Sequence, residues 1–372
     1  MAREPCALAH VGIMTTIKNG LPNPEFWRGK RVLLTGHTGF KGAWAALWLA
    51  RLGAKVHGLS LPPQTTPSLY QLAGVDGVVA GGVPIDIGQE QDVVRRVADV
   101  RPEIVIHMAA QALVRRSYRD PVDTIRTNVL GTAHLLDAIK RIDETKAVLV
   151  VTSDKVYAND EGGDAFSESD RLGGHDPYSA SKAAAELIAA SLGQCFLEPR
   201  GIRVATVRGG NVVGGGDFSE DRIVPDIWRA ARSQKPLSLR YPDSVRPWQH
   251  VLDCLSGYLC YIETLSQHDN TPRSLNIGPL TTAHLTVREV ADIMLSKLAP
   301  GGPGWMLDDG PRAKEMQHLS LDATRAQAIL GFRDRLPGAR ALDWTAAWYQ
   351  AMDEGRDVRQ FTQDQISAFA AL

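Results

Sequence analysis

Short apolar runs alternate with stretches of helical apolar spacing along much of the chain after residue 30. Near-continuous apolar strands joined by helices are typical of a parallel sheet that helices cover on both faces. The pattern therefore predicts an α/β fold with a doubly wound parallel sheet. The predicted strands lie at about 31–35, 55–59, 83–87, 103–108, 147–152 and 202–207.

The first predicted strand runs into a loop with glycines at positions 36, 39 and 42, followed by apolar residues at helical spacing. A strand, glycine loop and helix let the backbone approach a pyrophosphate and direct helix N–H groups toward it, although three glycines also occur in purely structural turns. A P-loop is excluded, because Gly42 follows Lys41 where Ser or Thr is needed. The residues predicted to bind a dinucleotide here are Gly36, His37, Thr38, Gly39, Phe40, Lys41 and Gly42.

A second motif, Tyr178-Ser179-Ala180-Ser181-Lys182, opens an Ala-rich stretch. On a helix, Tyr178 and Lys182 project from one face. A cation about 5 Å from a phenol at an effective dielectric of ~20 favours the phenolate by roughly 3 kcal/mol, about two pKa units. We therefore expect Lys182 to lower the pKa of Tyr178 and make it a base for a sugar hydroxyl. Solvated helix faces show the same spacing, so the glycine loop upstream decides for the catalytic interpretation.

Small or polar residues also follow later predicted strands, where ligands of open α/β sheets bind. Asp86 is predicted to contact an adenine amino group, and a helix N-cap before Gln89-Glu90 is an equally good explanation. The further residues predicted to lie in this crevice are Ile87, Ala109, Ala110, Gln111 and Asn128 for a cofactor, and Ser153, Asp154 and Lys155 for catalysis.

The formal net charge is −1, and no basic run indicates binding to nucleic acid or to an anionic membrane. Four cysteines without metal spacing or a paired framework indicate reduced thiols in a cytoplasm, and no metal site is predicted. No signal peptide and no apolar stretch that could span a bilayer is recognised.

A chain of 372 residues exceeds the roughly 250–300 at which a single core stops growing, so we expect two lobes. Helical spacing at about 286–298 and 340–352 belongs to the second lobe, and an apolar run near 273–277 predicts a strand that returns to the sheet. The predicted units are an N-terminal arm of 1–25 with Met14 as an alternative start, a dinucleotide-binding domain of 26–208 plus the returning strand, a substrate lobe of 209–272 and 278–350, and a C-terminal tail of 351–372.

From about Phe26 to Phe332 the chain resembles the extended short-chain dehydrogenases/reductases, which have a Rossmann fold, and among them the CDP-glucose 4,6-dehydratases. Lys155 is the discriminating residue, because related dehydratases for dTDP-glucose and GDP-mannose usually carry Glu there. The motifs that carry the likeness are Thr35-Gly36-His37-Thr38-Gly39-Phe40-Lys41-Gly42, His107-Met108-Ala109-Ala110-Gln111, Thr152-Ser153-Asp154-Lys155, Asp176-Pro177-Tyr178-Ser179-Ala180-Ser181-Lys182, Gly210-Asn211-Val212-Val213-Gly214-Gly215-Gly216-Asp217 and Arg246-Pro247-Trp248-Gln249-His250-Val251.

The resemblance implies a lyase that oxidises glucose at C4, eliminates water across C5 and C6, and returns the hydride from bound NAD to C6. Tyr178 would take the C4 hydroxyl proton, and Lys182 would hold the nicotinamide ribose. Asp154, if protonated, would donate to the departing C6 oxygen. Lys155 is predicted to be the C5 base, unless it orients the sugar while a water removes that proton. Ser153 would bind the C4 hydroxyl, or would only cap a turn.

Substrate contacts are predicted for Arg246 at the pyrophosphate, for Asn211 in a Gly-rich turn, and for Arg222, whose alternative is a surface charge beside Asp221. Trp248 either stacks on a ring or fills the core.

NAD is favoured over NADP, although Ser60-Leu61-Pro62-Pro63 supplies no acid after the second strand, where similar dehydratases often have Asp at Pro62. Lys41 is the one cation expected to be available to a 2′-phosphate. Another nucleotide-sugar dehydratase, a 4-epimerase and a non-catalytic redox sensor are the alternatives. Relatives usually form homodimers through helices that correspond here to about 123–141 and 178–194.

Overall fold

A computed structural model describes residues 20–81, 84–159, 163–279, 285–308, 310 and 319–372. The strands are β1 (Arg31–Thr35), β2 (Lys55–Leu59), β3 (Val79–Ala80), β4 (Ile104–His107), β5 (Ala147–Val151), β6 (Arg203–Gly209), β7 (Asn211–Val213), β8 (Leu237–Leu239), β9 (Val245–Arg246), β10 (Trp248–His250), β11 (Ser274–Ile277), β12 (Leu285–Thr286) and β13 (Trp305–Leu307).

The α-helices are α1 (Pro24–Trp27), α2 (Phe40–Arg51), α3 (Leu69–Leu72), α4 (Glu90–Val100), α5 (Val114–Arg119), α6 (Pro121–Ile125), α7 (Gly131–Ile139), α8 (Pro177–Leu192), α9 (Ile223–Ser233), α10 (Val251–Gln267), α11 (Val287–Leu298), α12 (Thr324–Leu330), α13 (Ala339–Asp353) and α14 (Val358–Ala370).

The main sheet has seven strands in the order β11-β6-β5-β4-β1-β2-β3, and each neighbouring pair is parallel. All residues of β4 and β5 are buried, as expected for strands that helices cover on both faces. The predicted doubly wound α/β fold is therefore confirmed. The strand order reverses between β1 and β4, so the ligand crevice of such a sheet opens at their carboxyl ends.

Alternate side chains of the strands enter two cores on opposite faces of the sheet. Leu34, Ile106 and Leu149 pack in the larger core with α2, α10 and the C-terminal helices. Leu33 and Val148 point to the other face and pack with α4 and α7. The sheet is therefore held from both sides, and its strand ends are fixed in position.

One predicted strand is wrong. Residues 84–87 of the run at 83–87 form no strand, and Val83 lies outside the described residues. The third strand is instead the short β3, and Ile85 only donates one backbone hydrogen bond to Ser60. Pro84 explains the difference, because proline offers no N–H to a strand ladder.

The other predicted elements are present with irregularities. The returning strand is β11, which pairs with β6, and the helices at 286–298 and 340–352 are α11 and α13. The helix predicted at 123–141 is α6 and α7 joined through a π-helical turn, Arg126–Leu130. A second π-helical turn, Gly193–Leu197, follows α8.

Both predicted terminal segments include residues that pack on the sheet's helices. The Gly20 carbonyl accepts from Ser256 Oγ at 2.6 Å, and Asn23 N donates to Glu263, so the expectation of a detached arm is wrong for residues 20–25. Residues 1–19 lie outside the described part of the chain. The segment expected as a tail contains α14, whose buried Phe369 packs edge-on against Trp48 of α2.

None of the helices in the described ranges is long and apolar enough to cross a membrane.

Candidate active site

The glycine loop between β1 and α2 brings backbone close to backbone. Gly36 has φ +76°, and a Cβ there would lie 2.8 Å from the Ala109 nitrogen. A Cβ on Gly42 would lie 2.0 Å from the Gly36 carbonyl oxygen. Helix α2 begins after Gly39, which has no side chain to cap the first N–H groups. The loop and helix therefore fit the pyrophosphate of a dinucleotide, which needs close backbone approach and free N–H donors.

A cavity of about 1890 Å³ lies along the carboxyl ends of the sheet. Its volume exceeds the roughly 300–1,000 Å³ of a site for one small ligand, so it can hold two. The predicted residues that line it are Gly36, Thr38, Gly39, Phe40, Lys41, Gly42, Asp86, Ile87, Ala109, Ala110, Gln111, Ser153, Asp154, Lys155, Tyr178, Lys182, Asn211, Arg222 and Arg246.

Two predicted cofactor residues, His37 and Asn128, do not line this cavity. The buried His37 ring packs under Gly58, where a Cβ would meet it at 2.3 Å, and burial lowers the pKa of His37 to about 4. Asn128 accepts from the Gln111 N–H at 2.8 Å and donates to Ser181 Oγ. Neither side chain lines the cavity in this structure, and Asn128 fixes the cavity wall at Gln111, so their contacts with a cofactor stay a prediction.

Helix α8 positions the predicted Tyr and Lys. Asp176 caps its N-terminus by accepting from the N–H groups of Tyr178 and Ser179, so Tyr178 lies in the first turn. Lys182 follows one turn later, and its Nζ donates to the Val151 carbonyl at 3.1 Å. Both residues are less than a tenth exposed, yet they line the cavity.

The predicted lowering of the Tyr178 pKa by Lys182 is wrong in this structure. Burial raises the pKa of Tyr178, and its hydrogen bond with Ser153 only partly opposes this. Burial and the charge of Lys41 lower the pKa of Lys182 to about 7, although the carboxylate of Glu186 acts to raise it. Burial is the largest cause of both shifts, because the two groups lie away from bulk water.

Ser153, Asp154 and Lys155 form a short 3-10 turn directly after β5. Ser153 Oγ accepts from the Lys155 N–H at 3.2 Å and donates to Asp154 Oδ1 at 3.0 Å, so Ser153 does cap this turn, and its contact with a C4 hydroxyl stays a prediction. Lys155 Nζ lies 3.3 Å from the same carboxylate oxygen. Together with the Ser153–Tyr178 hydrogen bond, these contacts join a phenol, a hydroxyl, a carboxyl and an amine in one chain.

Two buried oxygens in the cavity wall have no hydrogen-bond partner among the described residues. They are Oδ2 of Asp154, which is 1% exposed, and Oδ1 of Asn211 on β7. Buried polar atoms are nearly always hydrogen-bonded, so these two acceptors on residues that line the cavity are open to a donor. A ligand with several hydroxyl groups meets this requirement.

Near the end of β2 the structure shows contacts that the sequence did not reveal. Thr38 Oγ1 donates to the Leu61 carbonyl at 2.8 Å. Arg116 of α5 donates to Gln64 at 3.4 Å, so a cation does lie beside this strand end. Lys41, which was expected to be the available cation, instead lies 5.6 Å from the Tyr258 ring centroid, and its charge acts on Lys182.

Asp86 does not cap α4, whose N-cap is Gln89, so that alternative is wrong. Its carboxylate accepts from the Gly88 N–H at 2.8 Å and pairs with Arg126 Nη1 at 2.9 Å. Asp86 still lines the cavity, where the contact to an adenine remains a prediction.

The second lobe supplies the far wall of the cavity. Arg222 pairs with Asp217 at 3.1 Å, whereas Asp221 pairs with Arg115, so the surface-charge alternative for Arg222 is wrong. Arg246 is buried on β9. Trp248 is buried and donates to the Leu285 carbonyl, as its core interpretation predicts. Lining residues that the sequence analysis missed include Leu237, Leu239, Arg240 and Tyr241.

A family model described as "NAD dependent epimerase/dehydratase family" matches residues 32–278. The chain belongs to this family. The predicted Rossmann-type fold and the choice of NAD are thereby confirmed, and the glycine loop described above is where members of this epimerase/dehydratase family would be expected to hold the dinucleotide.

Among curated members of the family, the chain is 39% identical to a CDP-glucose 4,6-dehydratase of Salmonella typhimurium, over 93% of this chain and 97% of the relative. It is 34% identical to a dTDP-glucose 4,6-dehydratase of Streptomyces griseus, over 66% of this chain and 71% of the relative. A solved UDP-glucuronic acid 4-epimerase of Bacillus cereus, in complex with UDP-glucuronic acid and NAD, has a TM-score of 0.73 at 20% identity and covers 86% of this chain and 99% of its own. The last likeness shows the shared fold.

Proposed function

We propose that this epimerase/dehydratase converts CDP-glucose to CDP-4-keto-6-deoxyglucose by removing water. The observation that carries the proposal is the turn at Ser153, Asp154 and Lys155, which lies against Tyr178 in the dinucleotide cavity. An epimerase needs the Tyr/Lys pair but no added acid and base, whereas a dehydratase needs both. The 39% identity to a CDP-glucose 4,6-dehydratase over nearly the full length supports the same substrate.

The first step is removal of the C4 hydroxyl proton. When bound, NAD supplies a reversible hydride acceptor. Tyr178 takes the proton, and Ser153 holds the same hydroxyl within reach of the phenol. Burial raises the pKa of Tyr178, and the hydrogen bond between Tyr178 and Ser153 opposes this only in part.

The second step is loss of water across C5 and C6, which becomes easy once C4 is a carbonyl because the C5 hydrogen is then acidic. It needs a neutral acid for the C6 oxygen and a neutral base for C5. Asp154 and Lys155 lie 3.3 Å apart, so one proton passed from the ammonium to the carboxylate produces both forms at once. Asp154 then protonates the leaving oxygen, and Lys155 removes the C5 proton, with a water held by Lys155 as the alternative base.

The substrate is tested by incubating the protein with CDP-, dTDP- and UDP-glucose and GDP-mannose and assaying for a 4-keto-6-deoxy sugar, which absorbs in alkali. We expect product from CDP-glucose, with tritium from C4 recovered in the new methyl group. Conversion of UDP-glucose to UDP-galactose alone would instead establish an epimerase. Tritium released to solvent or to free reduced cofactor would refute the internal return of hydride.

The role of Lys155 has its own test. A Lys155→Met variant that still incorporates solvent deuterium at C5 at the wild-type rate would exclude Lys155 as the base. We expect incorporation to fall by roughly 10²- to 10⁴-fold, the usual contribution of a general base.

We further propose that two chains pair through α6, α8 and the π-helical turns. Several large apolar side chains are exposed there, including Val122 at 77% and Leu187 at 61%, along with Ile125, Leu130 and Phe196. Such a patch on neighbouring helices is typical of an interface. Sedimentation should give a dimer for the wild type and a monomer for Val122→Glu/Leu187→Glu, while a monomeric wild type would exclude this pairing.

The free thiols of Cys254 and Cys260 support a cytoplasmic location.

A further inference from the structure

One turn after Lys182, α8 carries a buried carboxylate, Glu186, whose two oxygens are both hydrogen-bonded within the protein. Glu186 is 4% exposed, and each of its oxygens accepts two hydrogen bonds. Oε1 accepts from Thr152 Oγ1 at 2.5 Å and from Arg208 Nε at 2.9 Å. Oε2 accepts from Thr206 Oγ1 at 2.8 Å and from Arg208 Nη2 at 2.7 Å. Four donors on one buried carboxylate fix its position far more firmly than packing alone.

The two threonines hold different parts of the sheet. Thr152 directly precedes Ser153, so its bond to Glu186 connects α8 to the turn that carries Asp154 and Lys155. Thr206 lies within β6, paired in register with Val150, and its neighbours in the sequence take no part in the candidate chemistry. The same carboxylate therefore makes one link to the reacting groups and one link to the scaffold.

Arg208 donates to both oxygens of the carboxylate and is itself anchored. It is 5% exposed in its side chain, and its Nη1 donates to the Tyr157 hydroxyl at 2.8 Å. Tyr157 in turn donates to Asn276 on β11 at 2.6 Å. Glu186 itself therefore bonds to the residue after β5 and to two residues of β6, and the network continues through Arg208 and Tyr157 to β11.

We propose that Thr152 and Glu186 are positioning residues that set the distance between the Ser153–Lys155 turn and the Tyr178/Lys182 helix. This inference rests on the proposed dehydratase activity, because both steps need these groups on one sugar. Tyr178 reaches Ser153 only if α8 and the end of β5 keep their spacing, and the Thr152–Glu186 bond is a direct side-chain link between them beside the cavity.

The test is a pair of matched variants, Thr152→Val and Thr206→Val. Each removes one hydroxyl donor to Glu186 and keeps the side-chain shape, so both should lower the melting temperature by a similar ~2–4 °C. Only Thr152→Val should lower kcat, by roughly 10- to 100-fold, because misplacement by about 1 Å has that effect. KM should change by less than about twofold in both variants. Thr152→Ser, which restores the hydroxyl, should recover most of the rate.

Crystal structures of the two valine variants give a readout that needs no substrate. We expect Ser153 Oγ and the Tyr178 hydroxyl to move out of hydrogen-bond reach in Thr152→Val and to stay bonded in Thr206→Val. Equal losses of kcat in both variants, or an unchanged Ser153–Tyr178 distance in Thr152→Val, would overturn the positioning role. If the wild type turns over no CDP-glucose, the proposed function fails, and the crystallographic distance still decides the positioning role.

Discussion

Lys182 should make the stability of the folded protein rise with pH. The pKa of this buried lysine is about 7, against an ordinary 10.5. A gap of that size corresponds to roughly 5 kcal/mol of unfavourable free energy when the group must be charged. Below about pH 7 the folded protein bears this cost in full. As pH rises from about 7 toward 10.5, the folded protein has released the proton while the unfolded chain still binds it, so stability increases.

Between about pH 7 and pH 9, this single group should contribute roughly 2 kcal/mol of added stability. Two buried acids act in the opposite direction, since burial raises the pKa of Asp253 to about 7 and of Glu263 to about 8. Their stabilising contributions decline as pH rises through those values. The total stability of the wild type therefore does not isolate Lys182, and a difference between variants is needed.

The perturbation is Lys182→Met, which removes the amine but preserves most of the volume. Urea unfolding of the cofactor-free wild type and variant is compared at about pH 7 and about pH 9. The variant leaves the Val151 carbonyl without its donor, which costs about 1–3 kcal/mol at every pH. The stability difference, variant minus wild type, should nevertheless fall by roughly 2 kcal/mol between the two pH values. Lys55→Met serves as the matched control, because Lys55 is exposed at the start of β2.

A difference that is constant with pH, or that grows as pH rises, would refute the assignment of a depressed pKa to Lys182. It would mean that the ammonium is retained in the folded protein. The original expectation, in which a permanent cation beside Tyr178 supports the phenolate, would then be restored.

Three further predictions concern the candidate site. Tyr178→Phe should lower kcat, measured by turnover, by roughly 10²- to 10⁴-fold and leave NAD affinity, measured by calorimetry, unchanged. Loss of NAD binding with an unchanged kcat would contradict the role of Tyr178 as base. Gly42→Ala should lower NAD affinity at least about tenfold, since its Cβ would lie 2.0 Å from the Gly36 oxygen. In the control Gly39→Ala the new Cβ would lie 3.5 Å from that same oxygen, so NAD affinity should be retained. Pro62→Asp should tighten NAD binding about tenfold by adding a charged acceptor for a ribose hydroxyl, and equal tightening of NADP would argue against that contact.

The sequence was sufficient where one local pattern determines the outcome. Uninterrupted apolar runs such as the one at β5 can only be buried on both faces, and they were assigned correctly. The run at 83–87 failed because Pro84 cannot join a ladder, a constraint that apolar character alone does not show. Among the site residues, the i, i+4 spacing correctly placed Tyr178 and Lys182 on one cavity wall.

Contacts between distant segments were beyond the sequence. Arg116 approaches the end of β2 from α5, and Asn128 turns away from the cavity to hold Gln111. Neither contact has a local signal, because each depends on how α5 and the first π-helical turn lie against the sheet. The same limit applies to Glu186, whose four donor groups come from Thr152 after β5 and from Thr206 and Arg208 on β6.

Burial also changes how the two motifs divide the chemistry. In the Tyr178/Lys182 pair, burial favours the neutral form of each member, so the phenolate needs an acceptor for the phenol proton. The amine of Lys182, on the same face of α8, is the candidate for that acceptor. In the Asp154/Lys155 pair the groups lie in contact at 3.3 Å, and transfer in the opposite sense, from the ammonium to the carboxylate, creates the acid and base of elimination. Each motif thus contains an acid, an amine and one movable proton, which is the minimum that its step of the reaction requires.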